Sequence, residues 1–97
     1  MTMHNPPHPG EFIRSIYLEP FGMSARSLAE SLAVSPSTLN RVITRKSGIS
    51  PEMALRLSKA LGRSAESWLV MQDHYDLWQA KQTAELDQVR PVEFGAA

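Results

Sequence analysis

The side chains that could do chemistry in this chain gather between Ser24 and Lys46. At about 100° per residue, Leu39, Val42 and Ile43 fall on one side of the segment that follows Ser35. Ser37, Arg41 and Thr44 fall on the other, flanked by Thr38, Asn40 and Arg45. Such a polar face suits the edges of base pairs. Arginine forks onto the two acceptors of guanine, asparagine pairs with the donor and acceptor of adenine, and small hydroxyls let a helix N-terminus come close. The free amides of that N-terminus attract phosphate. Ser35, Ser37, Thr38, Asn40, Arg41 and Thr44 are therefore the candidate base-facing residues, and Arg26, Arg45 and Lys46 the candidate phosphate contacts. Ser37 and Thr38 would serve equally as helix-start residues, and Arg45 and Lys46 also suit the negative end of a helix dipole.

Other chemistry finds less support. His4 and His8 are four apart, a spacing that would hold a metal on a helix. The prolines between them forbid a helix there, so no metal site is expected. His74 stands alone, without a nucleophile or an acid–base partner, and there is no Gly-rich phosphate loop. The reading is of a non-enzyme without a cofactor. The chain contains no cysteine, which excludes a disulfide framework and fits a cytoplasmic protein.

The elements that must position the polar face are legible from their starts and stops. Ser24, Ser35, Ser50 and Ser64 are good N-caps, because each hydroxyl can accept from an otherwise unpaired amide of the first turn. Pro36 and Pro51 follow two of them, where a missing N–H costs nothing. The expected helices run from about Gly10 to Leu18, Ser24 to Leu32, Ser35 to Arg45, Pro51 to Leu61 with Gly62 left-handed beyond it, and Ala65 to about Ala84. Ala33-Val34 makes a short turn, and Ala29 is small enough to let the second helix cross behind the third. Leu28, Leu32, Val34, Leu39 and Val42 would form their shared core. On the last helix Trp68, Met71, Tyr75, Trp78 and Leu86 make a core stripe. Val70, Leu77 and Ala84 make a second apolar line, seven apart, that would meet a second copy or a partner. Arg56, Lys59 and Arg63 read as the exposed face of the fourth helix. Residues 1–9 read as a flexible lead-in, residues 10–85 as the domain, and residues 86–97 as a tail. Val89–Phe94 alternates as a strand would, though Pro91 confines it to an edge.

Composition agrees. At 97 residues one domain is expected, and 42% hydrophobic content excludes disorder of the whole chain. No apolar run approaches the ~18 residues of a membrane span, and no signal peptide is visible. The net charge of zero hides a partition: Arg26 to Arg63 holds seven basic residues against two acidic, a net +5, whereas Ser64 to Ala97 is −4 and the first 25 residues −1. The basic middle could face phosphates, and the acidic end would point away or meet a basic protein.

At these residues the chain resembles a family. Leu28-Ala29-Glu30, the turn, and Ser35 to Val42 look like the helix-turn-helix of the lambda-repressor/Cro (XRE) class. Gly48-Ile49-Ser50-Pro51-Glu52-Met53-Ala54-Leu55-Arg56-Leu57, with Trp68-Leu69 and Tyr75-Asp76-Leu77-Trp78, is similar to the HigA/VapI antitoxin group within it. The resemblance covers about Pro9 to Ala80. It implies an all-α, five-helix, lambda-repressor-like DNA-binding domain, with a possible short C-terminal strand. It also implies a homodimer on a palindromic operator in its own promoter, and neutralisation of a HigB-type toxin that cuts messenger RNA. By motif position Ser35, Ser37, Thr38, Asn40 and Arg41 match DNA-facing positions, and Arg26, Arg45 and Lys46 match phosphate contacts. Pro36 departs from the pattern: many relatives carry a polar base reader there, so readout shifts toward Ser37 and Arg41. A free-standing repressor of the same class, without a toxin, is the alternative; a short reading frame just upstream coding for a basic protein separates the two. A protein-interaction module that has lost DNA binding would carry a neutral face, against which Arg41, Arg45 and Lys46 argue.

Overall fold

Four serines start four helices, as their positions require. Ser24 Oγ accepts from the Ser27 amide at 3.0 Å, Ser35 from Thr38 at 3.1 Å, Ser50 from Met53 at 3.1 Å and Ser64 from Ser67 at 3.1 Å. The structure, a computed structural model, describes residues 5–95; Met1–His4, and with them the candidate ligand His4, and Ala96–Ala97 lie outside the described residues. It is all-helical: α1 (Pro9–Ile13) runs on into a π-helical turn over Arg14–Leu18, followed by α2 (Ala25–Leu32), α3 (Pro36–Ile43), α4 (Pro51–Leu61) and α5 (Ala65–Thr83).

Trp68, fully buried, anchors the core. Phe12 meets its ring edge-on at 5.8 Å between centroids, and Ile13, Leu28, Leu39 and Leu57 belong to the same buried cluster. Ala29 has no exposed surface, as the crossing of α2 over α3 demands. Gly10 permits the closest approach made at any of the chain's glycines. A Cβ there would run into the Val42 carbonyl and lie 2.8 Å from the Ile43 Cα, so α1 presses directly on the backbone that ends α3.

Three helix ends close by one device. In a Schellman turn the amide two residues past the cap reaches back five positions, and the residue between is left-handed. After the π turn, Met23 N bonds Leu18 O at 2.9 Å with Gly22 at φ 62°. After α2, Val34 N bonds Ala29 O at 3.1 Å with Ala33 at φ 59°. After α3, Lys46 N bonds Arg41 O at 2.8 Å and Arg45 N bonds Val42 O at 3.0 Å, with Arg45 at φ 64°. The last of these corrects the expected extent of the third helix. It stops at Ile43, Thr44 caps it, and Arg45 lies outside because the chain reverses there.

Several other expectations need correction. The lead-in is not free up to residue 9: Pro6, His8 and Pro9 are buried, and α1 begins at Pro9 rather than Gly10. His8 is the reason. Its Nδ1 accepts from the Gly10 amide at 2.9 Å, and its ring meets Tyr75 edge-on at 4.9 Å. α5 ends at Thr83, so Ala84 is its cap and Leu86, 66% exposed, lies off the core stripe. Trp68 and Met71 are buried and Tyr75 and Trp78 half-buried, as the stripe predicted. Among the described residues there is no strand. Val89–Phe94 runs exposed, with only a turn from Val89 N to Leu86 O at 3.0 Å, because no second strand lies beside it to complete a ladder.

Burial holds the His8 pKa below its usual 6.5, and the Arg45 guanidinium pushes the same way; Asp76, Glu11 and a hydrogen bond with the Ser47 backbone oppose them. A base whose folded pKa is depressed takes up its proton first in the unfolded chain. Its contribution is complete above pH 6.5 and declines as the pH falls below that value. Protonation would also remove the Nδ1 acceptor that caps α1. Urea unfolding is therefore expected to lose free energy as the pH drops below 6.5. His8→Asn, which retains a capping oxygen but cannot titrate, should lose less over the same range; an unchanged pH slope in that variant would contradict the assignment.

Candidate nucleic-acid interface

α3 buries Leu39 and Val42 and half-buries Ile43, which leaves the predicted polar face in solvent. Ser35, Ser37, Thr38, Asn40, Arg41 and Thr44 are all exposed, and so are Arg26, Arg45 and Lys46. Around the start of the helix the hydroxyls form a small cluster. Ser35 Oγ lies 2.8 Å from Thr38 Oγ1 and 3.2 Å from Ser37 Oγ while it caps the Thr38 amide. Ser35 is thereby committed to holding the helix start, and Ser37 and Thr38 present the outward hydroxyls. Thr44 Oγ1 donates to the Asn40 carbonyl at 2.8 Å, so it faces outward as an acceptor or through its methyl group.

The cations of this face are not neutralised by the protein. Among the described residues the ion pairs are Arg14 with Glu19 and Arg56 with Glu52; none involves Arg26, Arg41, Arg45 or Lys46. Four exposed positive charges without ion-pair partners among the described residues have as counter-ions solvent ions that a phosphate backbone would displace. A shallow groove of about 220 Å³ between α3 and the start of α4 places Ser47 and Ser50 beside Arg41 and Thr38. Ser50 was legible in the sequence only as a cap, and Ser47 carried no signal there.

Two arginines read as solvated are structural. Arg56 Nη1 donates to the carbonyls of Leu32 at 2.9 Å and Ala33 at 3.3 Å, while its Nη2 pairs with Glu52 at 2.9 Å. It ties α4 to the turn of the helix-turn-helix by satisfying carbonyls that the end of α2 leaves open. The Arg63 guanidinium lies 5.0 Å from the Phe12 ring centre and 5.9 Å from that of Trp68, which half-buries it against the aromatic core. Lys59 is exposed as expected. Gln72, buried on α5, was not legible at all: its Oε1 accepts from the Ile49 amide at 3.0 Å. A lone glutamine on an amphipathic helix carries no sequence signal of such a contact.

Val70 and Leu77 are 48% and 55% exposed along α5, and Ala84 is exposed at its end. They form an apolar line that the described residues leave exposed.

Comparison with known proteins agrees with this geometry. Residues 15–68 match the helix-turn-helix family. Virulence-associated protein I of Dichelobacter nodosus is 49% identical over 75 residues, covering 77% of this chain and 69% of that protein. The structure of antitoxin GraA superimposes with a TM-score of 0.87 at 35% identity, over 93% of this chain and 100% of that one. Pseudomonas aeruginosa antitoxin HigA, solved with the higBA promoter, gives a TM-score of 0.80 at 35% identity, over 92% of this chain and 100% of its own. A short capped helix crossed by α2, an unpaired basic face and this likeness in both sequence and shape have one reading: the chain belongs to the helix-turn-helix family, among its HigA-type antitoxins.

Proposed function

We propose that this chain is a DNA-binding antitoxin that represses its own operon and neutralises a HigB-type, mRNA-cleaving toxin. The observation that carries the DNA half is the exposed face of α3, where Asn40, Arg41, Ser37 and Thr38 stand beside Arg45 and Lys46 with no carboxylate paired to them. Arg41 is the reader of guanine, Asn40 the reader of adenine, and Arg26, Arg45 and Lys46 grip phosphates. Such a role places the protein in the cytoplasm, and among the described residues no helix is long and apolar enough to cross a membrane. Asp73, Asp76, Glu85 and Asp87, on α5 and the tail, offer a basic toxin an acidic surface.

The operator-bound form is a homodimer joined along α5. Val70 and Ala84 are each seven residues from Leu77, and Asp73 and Lys81 each four. An antiparallel pair of α5 helices with Leu77 on the two-fold axis therefore sets Val70 against Ala84 and Asp73 against Lys81, twice over. Two recognition helices would then enter successive major grooves about 34 Å apart.

The direct test is binding of the purified chain to the DNA just upstream of its reading frame, beside a scrambled fragment, at two salt concentrations. Preference for its own DNA, weakening with salt, is expected; equal affinity for both fragments would leave α3 as a scaffold only. Co-expression with the product of a neighbouring reading frame tests the antitoxin half, which requires rescue of growth. Arg41→Ala should cost about 1–3 kcal/mol on the operator and little on scrambled DNA, and an unchanged ratio would remove Arg41 from base reading. Arg45→Gly makes a sharper case. Glycine suits the left-handed position, so the variant should unfold about 1 kcal/mol harder in urea while binding all DNA more weakly. A variant that gains stability and keeps its affinity would show that Arg45 contributes nothing to DNA. Leu77→Asp should sediment as a monomer with a native circular dichroism spectrum and bind the operator at least about tenfold more weakly. A dimer that survives the substitution would place the seam elsewhere.

A further inference from the structure

The seven residues from Thr44 to Ser50 leave the recognition helix, carry Arg45 and Lys46, and enter α4. A loop of this kind is ordinarily the most mobile part of a domain, yet here it is tied at both ends. The Schellman turn holds its start through the bond from Lys46 N to Arg41 O, with a second bond from Ser47 N to the same carbonyl at 3.1 Å. Its far end is held from α5. Gln72, 7% exposed, accepts the Ile49 N–H through Oε1 at 3.0 Å and donates through Nε2 to Asp76 Oδ1 at 2.9 Å. Gly48 lies flat on the same amide, and a Cβ there would come 2.9 Å from Gln72 Cδ.

We propose that Gln72, oriented by Asp76, is a positioning residue for the phosphate-gripping loop. It sets where Arg45 and Lys46 stand relative to the reading face of α3 without touching DNA itself. The bond it makes is one a buried amide requires, so a purely structural role would also explain its presence. The two roles differ in what they move. A positioning role acts on the grip on phosphates, which carries the salt dependence of binding and no sequence preference. The inference rests on the DNA-binding reading of α3.

The experiment uses the full chain and three variants, titrated against the chain's own upstream DNA and a scrambled fragment across a salt series. Gln72→Met keeps the shape of the side chain and loses both hydrogen bonds. Asp76→Leu, at an exposed position, leaves Gln72 in place but unoriented, and keeps the test open if the Met variant does not fold. Asp76→Asn removes the same charge while retaining an acceptor, so its comparison with Asp76→Leu isolates the hydrogen bond from the charge. Gln72→Met and Asp76→Leu should weaken both DNAs by the same factor, about tenfold, and reduce the slope of log affinity against log salt by about 0.9 for each phosphate no longer neutralised. Asp76→Asn should stay near the parent. A parental salt slope in the variant that folds, or a loss confined to the operator, would overturn the assignment. If the parent chain itself binds neither DNA, the DNA-binding reading falls and the inference falls with it.

Discussion

Eight residues make little more than two turns of helix, and a helix that short does not hold its shape in water by itself. α3 is such a helix, and much of the fold serves to keep it formed. Ser35 closes its start and the Arg45–Lys46 turn closes its end. Leu39 and Val42 pin it to α2 through the crossing at Ala29. Gly10 lets α1 sit against its last carbonyls, and Arg56 fixes the turn on its other flank. Each contact acts on the backbone or on the buried side of α3; among the described residues Ser37 and Thr38 share their hydroxyls with Ser35, and the Asn40 and Arg41 side chains have no protein partner.

That arrangement carries costs at two positions. Ala33 and Arg45 both adopt the left-handed conformation that glycine occupies at the corresponding turn after α1. For residues with a Cβ this conformation is unfavourable by roughly 1–2 kcal/mol each. Arg45 retains it with its side chain exposed and without an ion-pair partner among the described residues. The proposed grip of Arg45 on phosphate would offset that local cost only in the DNA-bound state.

Charge divides along the same lines as structure. The segment with a net charge of +5 contains the recognition helix and the loop after it, and the acidic segment begins as α5 starts. Within the basic segment the structure separates the cations by role. Arg56 and Arg63 are held by carbonyls, a carboxylate and aromatic rings, whereas among the described residues Arg41, Arg45 and Lys46 are held by none of these. The sum of charges in a stretch of chain cannot make that distinction, because it depends on which acceptors the fold brings within reach.

Local chemistry made the helices legible from the sequence. Four serines, two prolines after them and Gly62 at φ 87° marked most of the boundaries, since capping depends on neighbours within a few residues. Helical periodicity alone separated the buried side of α3 from its polar face, and residue types in a known order identified the family. What depended on distant neighbours was not legible. The burial of His8 depends on Tyr75, and the roles of Arg56 and Gln72 depend on carbonyls and amides more than twenty residues away in the chain. Ala84 and Leu86 kept the helical period but fell beyond the end of α5, because the sequence there has no stop signal. The tail alternated like a strand yet found no edge to join. A residue's own propensity and its near neighbours decided the elements and the reading face; the tertiary structure decided which polar groups hold the domain together and which remain free to bind.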